Sequence, residues 1–216
     1  MTTQPRRRSL IIASAAASLA LPAWAQARPV LPSMSDGPFY PSAAWRKGRQ
    51  DWAADLTQVR RGNQTLNARG EYLALDLNVS DIKGRLIDNA EVEIWQCDAL
   101  ASYRHPSVRA RPDELDEGFQ GFGAARSGAA GAVAFKTIKP VAYPGRTPHI
   151  HVKLRHATFG ELTSQLFIAD DPGNARDGLW RSLNAAAQAA TSMRVENAPP
   201  GSGLRWVVRQ VLVIPA

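Results

Sequence analysis

The chain has 216 residues, 44% hydrophobic and 21% charged, with a formal charge of +7 and a single cysteine. Such a length and composition fit one soluble domain with a real core, and the lone Cys97 excludes an intrachain disulfide and reads as a small buried hydrophobe on a strand. Arg6, Arg7 and Arg8 supply three of the positive charges, and the other Lys and Arg are scattered without a basic helix face, which argues against a nucleic-acid partner.

The N-terminus reads as an address. Arg6-Arg7-Arg8-Ser9-Leu10-Ile11 leads into a mildly apolar stretch, Leu10 to Leu21, shorter than the roughly 20 apolar residues that span a bilayer. Ala23-Trp24-Ala25 and Ala25-Gln26-Ala27 then offer small-x-small cleavage sites. Charged, apolar and small residues in that order form an export signal, and the paired arginine resembles the twin-arginine type. The expected organisation is therefore a signal peptide over 1–27 and one folded domain over 28–216. That domain would sit in the periplasm or outside the cell, with no membrane insertion after processing.

Beyond Arg28, short β-rich runs alternate with Gly and Pro. Strands are expected at Tyr72 to Val79, Ala90 to Gln96, Ala132 to Ile138, His149 to Leu154, Leu162 to Ile168 and Leu204 to Ile214. Only Leu179 to Ala190, rich in Ala, looks helical, and residues 104 to 131 read as one long connection of the sort that carries function. The expected fold is all-β: a single β-sandwich with long loops and one short helix.

The strongest local signal is Arg146-Thr147-Pro148-His149-Ile150-His151-Val152. Residues two apart on a strand share a face, so His149 and His151 project together, their Cα atoms about 6.5 Å apart. Both rings then reach one metal with bonds near ~2.1 Å. His-x-His alone is weak evidence; Tyr143 just upstream and Tyr103 after a strand strengthen it. His105 reads as a structural or pocket-lip residue, His156 as surface, and Trp95 and Trp206 as core.

At this point a family resemblance emerges. Gly37-Pro38-Phe39-Tyr40-Pro41, Ala90 to Ala99, Tyr103-Arg104-His105, Phe135 to Pro140, Tyr143 to Arg146 and Thr147 to His151 resemble, in order, the motifs of intradiol ring-cleavage dioxygenases. Thr163-Ser164-Gln165-Leu166-Phe167 continues the series, with Phe167 replacing the usual aromatic alcohol. The resemblance implies a mononuclear Fe(3+) cofactor held by Tyr103, Tyr143, His149 and His151, with Tyr143 and His149 axial. It also implies an aromatic diol and O2 as reactants. Tyr143 would release its metal and accept a substrate proton, Arg146 would stabilise anionic character on the ring, and Gln165 would orient Arg146. The donor set agrees: phenolate is a hard anion suited to iron(III), and imidazole suits iron generally. Ala43 to Gly70 is too short and polar for the helical segment of catechol 1,2-dioxygenases, which points to a smaller architecture of the protocatechuate 3,4-dioxygenase type. A homo-oligomer is left open.

Two other classes compete. One is a non-catalytic β-sandwich that keeps the fold and binds a ligand or partner. The other is a His-x-His zinc hydrolase, which needs a third His or a carboxylate and a general base. For the leader, replacing Arg7 and Arg8 by Lys is expected to hold the precursor in the cytoplasm, as cell fractionation would show. Periplasmic arrival of that variant would end the twin-arginine reading.

Overall fold

The computed structural model describes residues 28–46, 52–109 and 111–215, so the leader expected over 1–27 lies outside the described residues. A hairpin, β1 (Gln58–Arg61) and β2 (Gln64–Asn67), precedes β3 (Tyr72–Asp81), β4 (Glu91–Trp95), β5 (Phe122–Arg126) and β6 (Ala132–Ile138). There follow β7 (His149–His156), β8 (Gly160–Ile168), β9 (Ser192–Met193), β10 (Glu196–Asn197) and β11 (Trp206–Ile214). The principal sheets run β10-β11-β3-β6 and β5-β4-β7-β8-β9. Strand β3 shows why the first forms: Leu73, Leu75, Leu77 and Val79 are buried, and the residues between them are only half-buried, the period-2 pattern of a half-covered sheet.

One apolar cluster fills the space between the sheets. Leu73, Leu75, Leu77 and Val208 enter it from one side, and Val92, Ile94, Ile150, Val152, Leu154 and Leu166 from the other. Each such fully buried aliphatic side chain contributes roughly 1.5–3 kcal/mol. The architecture is the expected β-sandwich. Strand β7 departs from simple alternation, because its first six residues are all buried. Its second face must therefore be covered by something other than the core.

The helical stretch differs in detail from expectation. It divides into α2 (Gly178–Ser182) and α3 (Ala185–Thr191), following a single-turn α1 (Ala43–Arg46). Asn184 causes the break, because its side chain accepts from the Ala187 amide and caps a new helix instead of continuing the old one. The connection 104–131 also contains more structure than its composition suggested. A 3-10 turn occupies Pro112–Glu114 and β5 pairs along β4, from Glu91 with Arg126 to Trp95 with Phe122. Gly123 in β5 is required there, since a Cβ would lie 2.5 Å from Leu56 Cδ1 and 2.8 Å from the Ala53 carbonyl. No helix among the described residues is long and apolar enough to cross a membrane.

Two turn glycines separate conformational from steric cost. Gly62, at φ +59 in the hairpin turn, has open space where a Cβ would go. Gly131, at φ +63 before β6, would place a Cβ 2.4 Å from the Val79 carbonyl. Gly62→Ala is expected to cost about 1 kcal/mol for the left-handed backbone. Gly131→Ala should cost about 3 kcal/mol by adding overpacking. Urea denaturation measures both, and equal losses would mean that the Val79 contact relaxes freely.

Candidate metal centre

The second face of the β4-β7-β8 sheet is organised in rows set by strand register. Glu93, Lys153 and Thr163 form one row, Trp95, His151 and Gln165 the next, and His149 and Phe167 the one beyond. Residues 34–46 cover the first row as a strap. Met34 donates its amide to the Thr163 carbonyl, Asp36 receives bonds from Lys153 Nζ at 2.7 Å and Thr163 Oγ1 at 2.6 Å, and Tyr40 donates to Glu93 at 2.7 Å. Arg46 and Arg155 also pair with Glu93, at 2.6 and 3.1 Å, so this buried carboxylate is compensated from two sides. Burial and the bond to Glu93 push the Tyr40 phenol up to about 12, so it stays a neutral donor at physiological pH.

Anchoring the strap on that row carries its next residues over the neighbouring one. Gly37 comes close to His151: a Cβ there would sit 3.4 Å from the imidazole Cε1. Phe39 stacks on Tyr103 with ring centroids 4.3 Å apart. Trp95 lies flat against His151, 4.6 Å between centroids with 12° between planes. Trp95 is thus buried, as expected, but it backs the site instead of the main core. The imidazole of His151 is held by aromatic walls rather than by hydrogen bonds.

Tyr103, Tyr143, His149 and His151 converge. Ring centroids lie 5.0 Å apart for the two histidines, 5.5 Å for Tyr143 and His149, 5.7 Å for the two tyrosines and 6.4 Å for Tyr103 and His151. His149 Nδ1 meets the Thr147 carbonyl at 2.7 Å, which assigns the proton to Nδ1 and frees the Nε2 lone pair. His149 Nε2, His151 Nδ1 and Tyr103 Oη are all buried without a hydrogen-bond partner. Buried polar atoms are nearly always paired, so three orphans in one place indicate a bonding partner of another kind. Burial first, and then Arg146, draws the His149 imidazole down to about 4; burial and the neighbouring His149 lower His151 well below its usual range. Both rings are therefore neutral donors at physiological pH.

These donors fit a high-charge cation. Burial, with the adjacent Tyr143 phenol, pushes the Tyr103 hydroxyl far above the ordinary phenol range, so only a strong positive charge would ionise it. Among the described residues, no group of three or more His, Cys, Asp or Glu side chains is placed to hold a metal. The histidine pair is joined by phenols, not by the third imidazole or carboxylate that a zinc hydrolase needs.

Arg146 and Gln165 stand beside the cluster. Arg146 Nη2 donates to Gln165 Oε1 at 2.5 Å, and Nη1 lies 3.4 Å from Tyr143 Oη. The turn Tyr143 to Arg146, closed by the Arg146 amide on the Tyr143 carbonyl, places both side chains together. Asp177, which sequence reasoning missed, pairs with Arg146 Nε at 2.8 Å. Burial alone would raise the Asp177 carboxyl, but the Thr147 and Trp180 amides and the Arg146 guanidinium outweigh it and hold it below the usual range. An Asp-Gly pair ahead of an Ala-rich helix was its only sequence signal, and that signal says N-cap. A cavity of about 370 Å³ opens beside Tyr143 and Arg146, with Arg176 on its wall. His105 sits half-buried against Phe39 and Trp45, bonded to Ser107, while His156 bonds Thr158 at the surface; neither joins the cluster. Trp206 is half-buried and packs against the main core, its indole N–H donating to Glu71.

A family model described as dioxygenase matches residues 47–210. The chain belongs to the intradiol ring-cleavage dioxygenase family. It is 35% identical over 127 residues to the protocatechuate 3,4-dioxygenase beta chain of Burkholderia cepacia, covering 55% of this chain and 54% of that protein. It is 26% identical to the catechol 1,2-dioxygenase of a Pseudomonas species, covering 84% of this chain and 61% of that protein. The matched part thus spans little more than half of these relatives. Among solved structures, the dioxygenase domain of a dioxygenase carbohydrate-binding protein fusion from Streptomyces sp. SirexAA-E superposes with a TM-score of 0.62 at 25% identity, covering 87% of this chain and 99% of that one. Hydroxyquinol 1,2-dioxygenase from Pseudomonas putida gives 0.63 at 18% identity, covering 89% and 68%, a likeness of fold.

The cluster predicts how iron retention responds to mutation. His149→Ala and His151→Ala should each weaken iron retention by at least ~10-fold, a loss that even an outer-sphere partner can cause. Tyr143→Phe, which alters the least buried of the four, should keep much of its iron with a changed colour. Metal analysis after dialysis measures this, and full retention in both histidine variants would remove the site assignment.

Proposed function

We propose that the chain is an Fe(3+)-dependent intradiol dioxygenase that opens a catechol-type aromatic diol with O2 to a muconate-type diacid. The observation that carries this reading is the convergence of two phenols and two imidazoles, three of their donor atoms buried and unpartnered. Tyr103, Tyr143, His149 and His151 would hold the iron. When bound, iron(III) withdraws electron density from the deprotonated diol and so makes a ring carbon reactive toward O2.

The residues of the chain do the rest. His149 and His151, fixed on one strand, set a rigid base for the site. Tyr143, partly exposed on a turn, would take up a diol proton at Oη. Arg146, 3.4 Å from that oxygen, supplies a cation for negative charge developing on the ring, and Gln165 holds it in place. Phe39 and Trp95, packed on Tyr103 and His151, would shield those two rings from water. Both oxygen atoms enter the diacid and the ring supplies the electrons, so no external reductant is consumed. We further propose that the protein acts outside the cytoplasm, a reading supported by the order of charged, apolar and small residues over 1–27.

The test is oxygen uptake by the iron-loaded protein over a panel of catechols, some carrying a carboxylate, with products identified by mass and NMR. The expected protein is coloured, because phenolate donates charge to iron(III) in the visible range, and its product is cleaved between the two hydroxylated carbons. A colourless protein with full iron content would refute phenolate ligation. A yellow semialdehyde, from cleavage beside the diol, would refute the intradiol assignment.

A further inference from the structure

Asp177 lies 31 positions beyond Arg146, in the connection between β8 and α2, yet its carboxylate is fully buried against that guanidinium. It makes four hydrogen bonds. Oδ1 accepts from the Leu179 and Trp180 amides at 2.9 and 3.1 Å, which is the N-cap of α2. Oδ2 accepts from Arg146 Nε at 2.8 Å and from the Thr147 amide at 2.9 Å. Capping needs only the first oxygen. The second is free to act on the site.

We propose that Asp177 is a positioning residue that fixes the Arg146 guanidinium and the backbone beside His149 as one unit, a role that rests on the dioxygenase reading above. A guanidinium is planar, so tying two of its nitrogens sets the plane of the whole group. Asp177 ties Nε and Gln165 ties Nη2, which leaves Nη1 facing Tyr143 Oη. The same Oδ2 holds the Thr147 amide, and the Thr147 carbonyl accepts from His149 Nδ1 at 2.7 Å. Thr147 is secured again through its hydroxyl, which donates to Asn174 Oδ1 at 2.9 Å. One carboxylate oxygen thereby sets the direction of the cation and of the imidazole on either side of the reacting position. The carboxylate also neutralises Arg146, which allows the charge to be kept in a partly covered site.

Asp177→Asn separates this role from helix capping. Asparagine keeps Oδ1 for the α2 amides but sets an NH2 group against the Arg146 Nε–H and the Thr147 N–H. Asn184→Ala, which removes the cap of α3 remote from these contacts, is the structural control. In iron-loaded protein, Asp177→Asn should lower kcat about 10- to 100-fold with KM changed less than about threefold. Asn184→Ala should lower Tm and leave kcat unchanged. The double variant Asp177→Asn with Arg146→Ala should lose clearly less than the product of the two single losses, because the arm through Arg146 is already gone and only the arm through Thr147 remains. Independently of turnover, the Nε–H resonance of Arg146, observed with diamagnetic gallium(III) in place of iron, should vanish or broaden in Asp177→Asn. Multiplied losses in the double variant, or an unchanged Nε–H resonance, would overturn the proposal. Failure of the wild type on every catechol would overturn the functional reading instead, and the resonance would still decide the clamp.

Discussion

Strand β7 has no solvent on either face through its first six residues, and the site follows from that constraint. Ile150, Val152 and Leu154 enter the core between the sheets, so His149, His151 and Lys153 must point the other way, and that side is covered too. Every polar group there needs a partner, because an unpaired one costs about 1–3 kcal/mol. Lys153 finds Asp36 and Glu161, and His149 Nδ1 finds the Thr147 carbonyl. Within the ring cluster, His149 Nε2, His151 Nδ1 and Tyr103 Oη remain without such a partner, as does the indole N–H of Trp95 beside them.

Electrostatics explains why the cluster suits a trivalent ion. Burial works against an ionised Tyr103, and it keeps the imidazoles neutral. A divalent ion would be balanced by two phenolates, with no charge left to bind a further anion. A trivalent ion retains one unit of charge, enough for a hydroxide or for exchange with an anionic substrate without an uncompensated charge in a dry site. The neighbouring cation Arg146 does not upset this balance, because Asp177 neutralises it in place.

Much of this was legible in the sequence, and the reasons for the rest are local and physical. The long strands carry β-branched and aliphatic runs, and the His149-Ile150-His151 spacing states its own geometry. Strand β5 was hidden because Gly123, Ala124 and Ala125 have little strand preference; only the pairing of Phe122 to Arg126 along β4 makes them one. The β1–β2 hairpin was not expected: Gly62-Asn63 marks a turn, but both strands are polar and largely exposed, so the alternation that reveals a strand is missing. The long-range partners of the strap and of Asp177 could not be read. Asp36 meets Lys153 across 117 positions and Asp177 meets Arg146 across 31, and nothing in either local sequence names its partner.

The four site rings also differ in how they are mounted, and that difference matters to the chemistry. His149 and His151 stand on a strand whose register with β4 and β8 fixes them; moving either would mean slipping the sheet. Tyr103 comes from a loop but is pinned under Phe39 and almost fully buried. Tyr143 alone is half-exposed, on a tight turn that Gly145 closes at φ +83 beside an open cavity. A donor that must give way to substrate has to be one whose departure costs little packing and whose new position is wet enough to hold a neutral phenol. Of the four, only Tyr143 meets both conditions. Under the proposed iron-binding reading, the asymmetry between a strand-borne pair and a turn-borne tyrosine would separate the part of the site that holds from the part that moves.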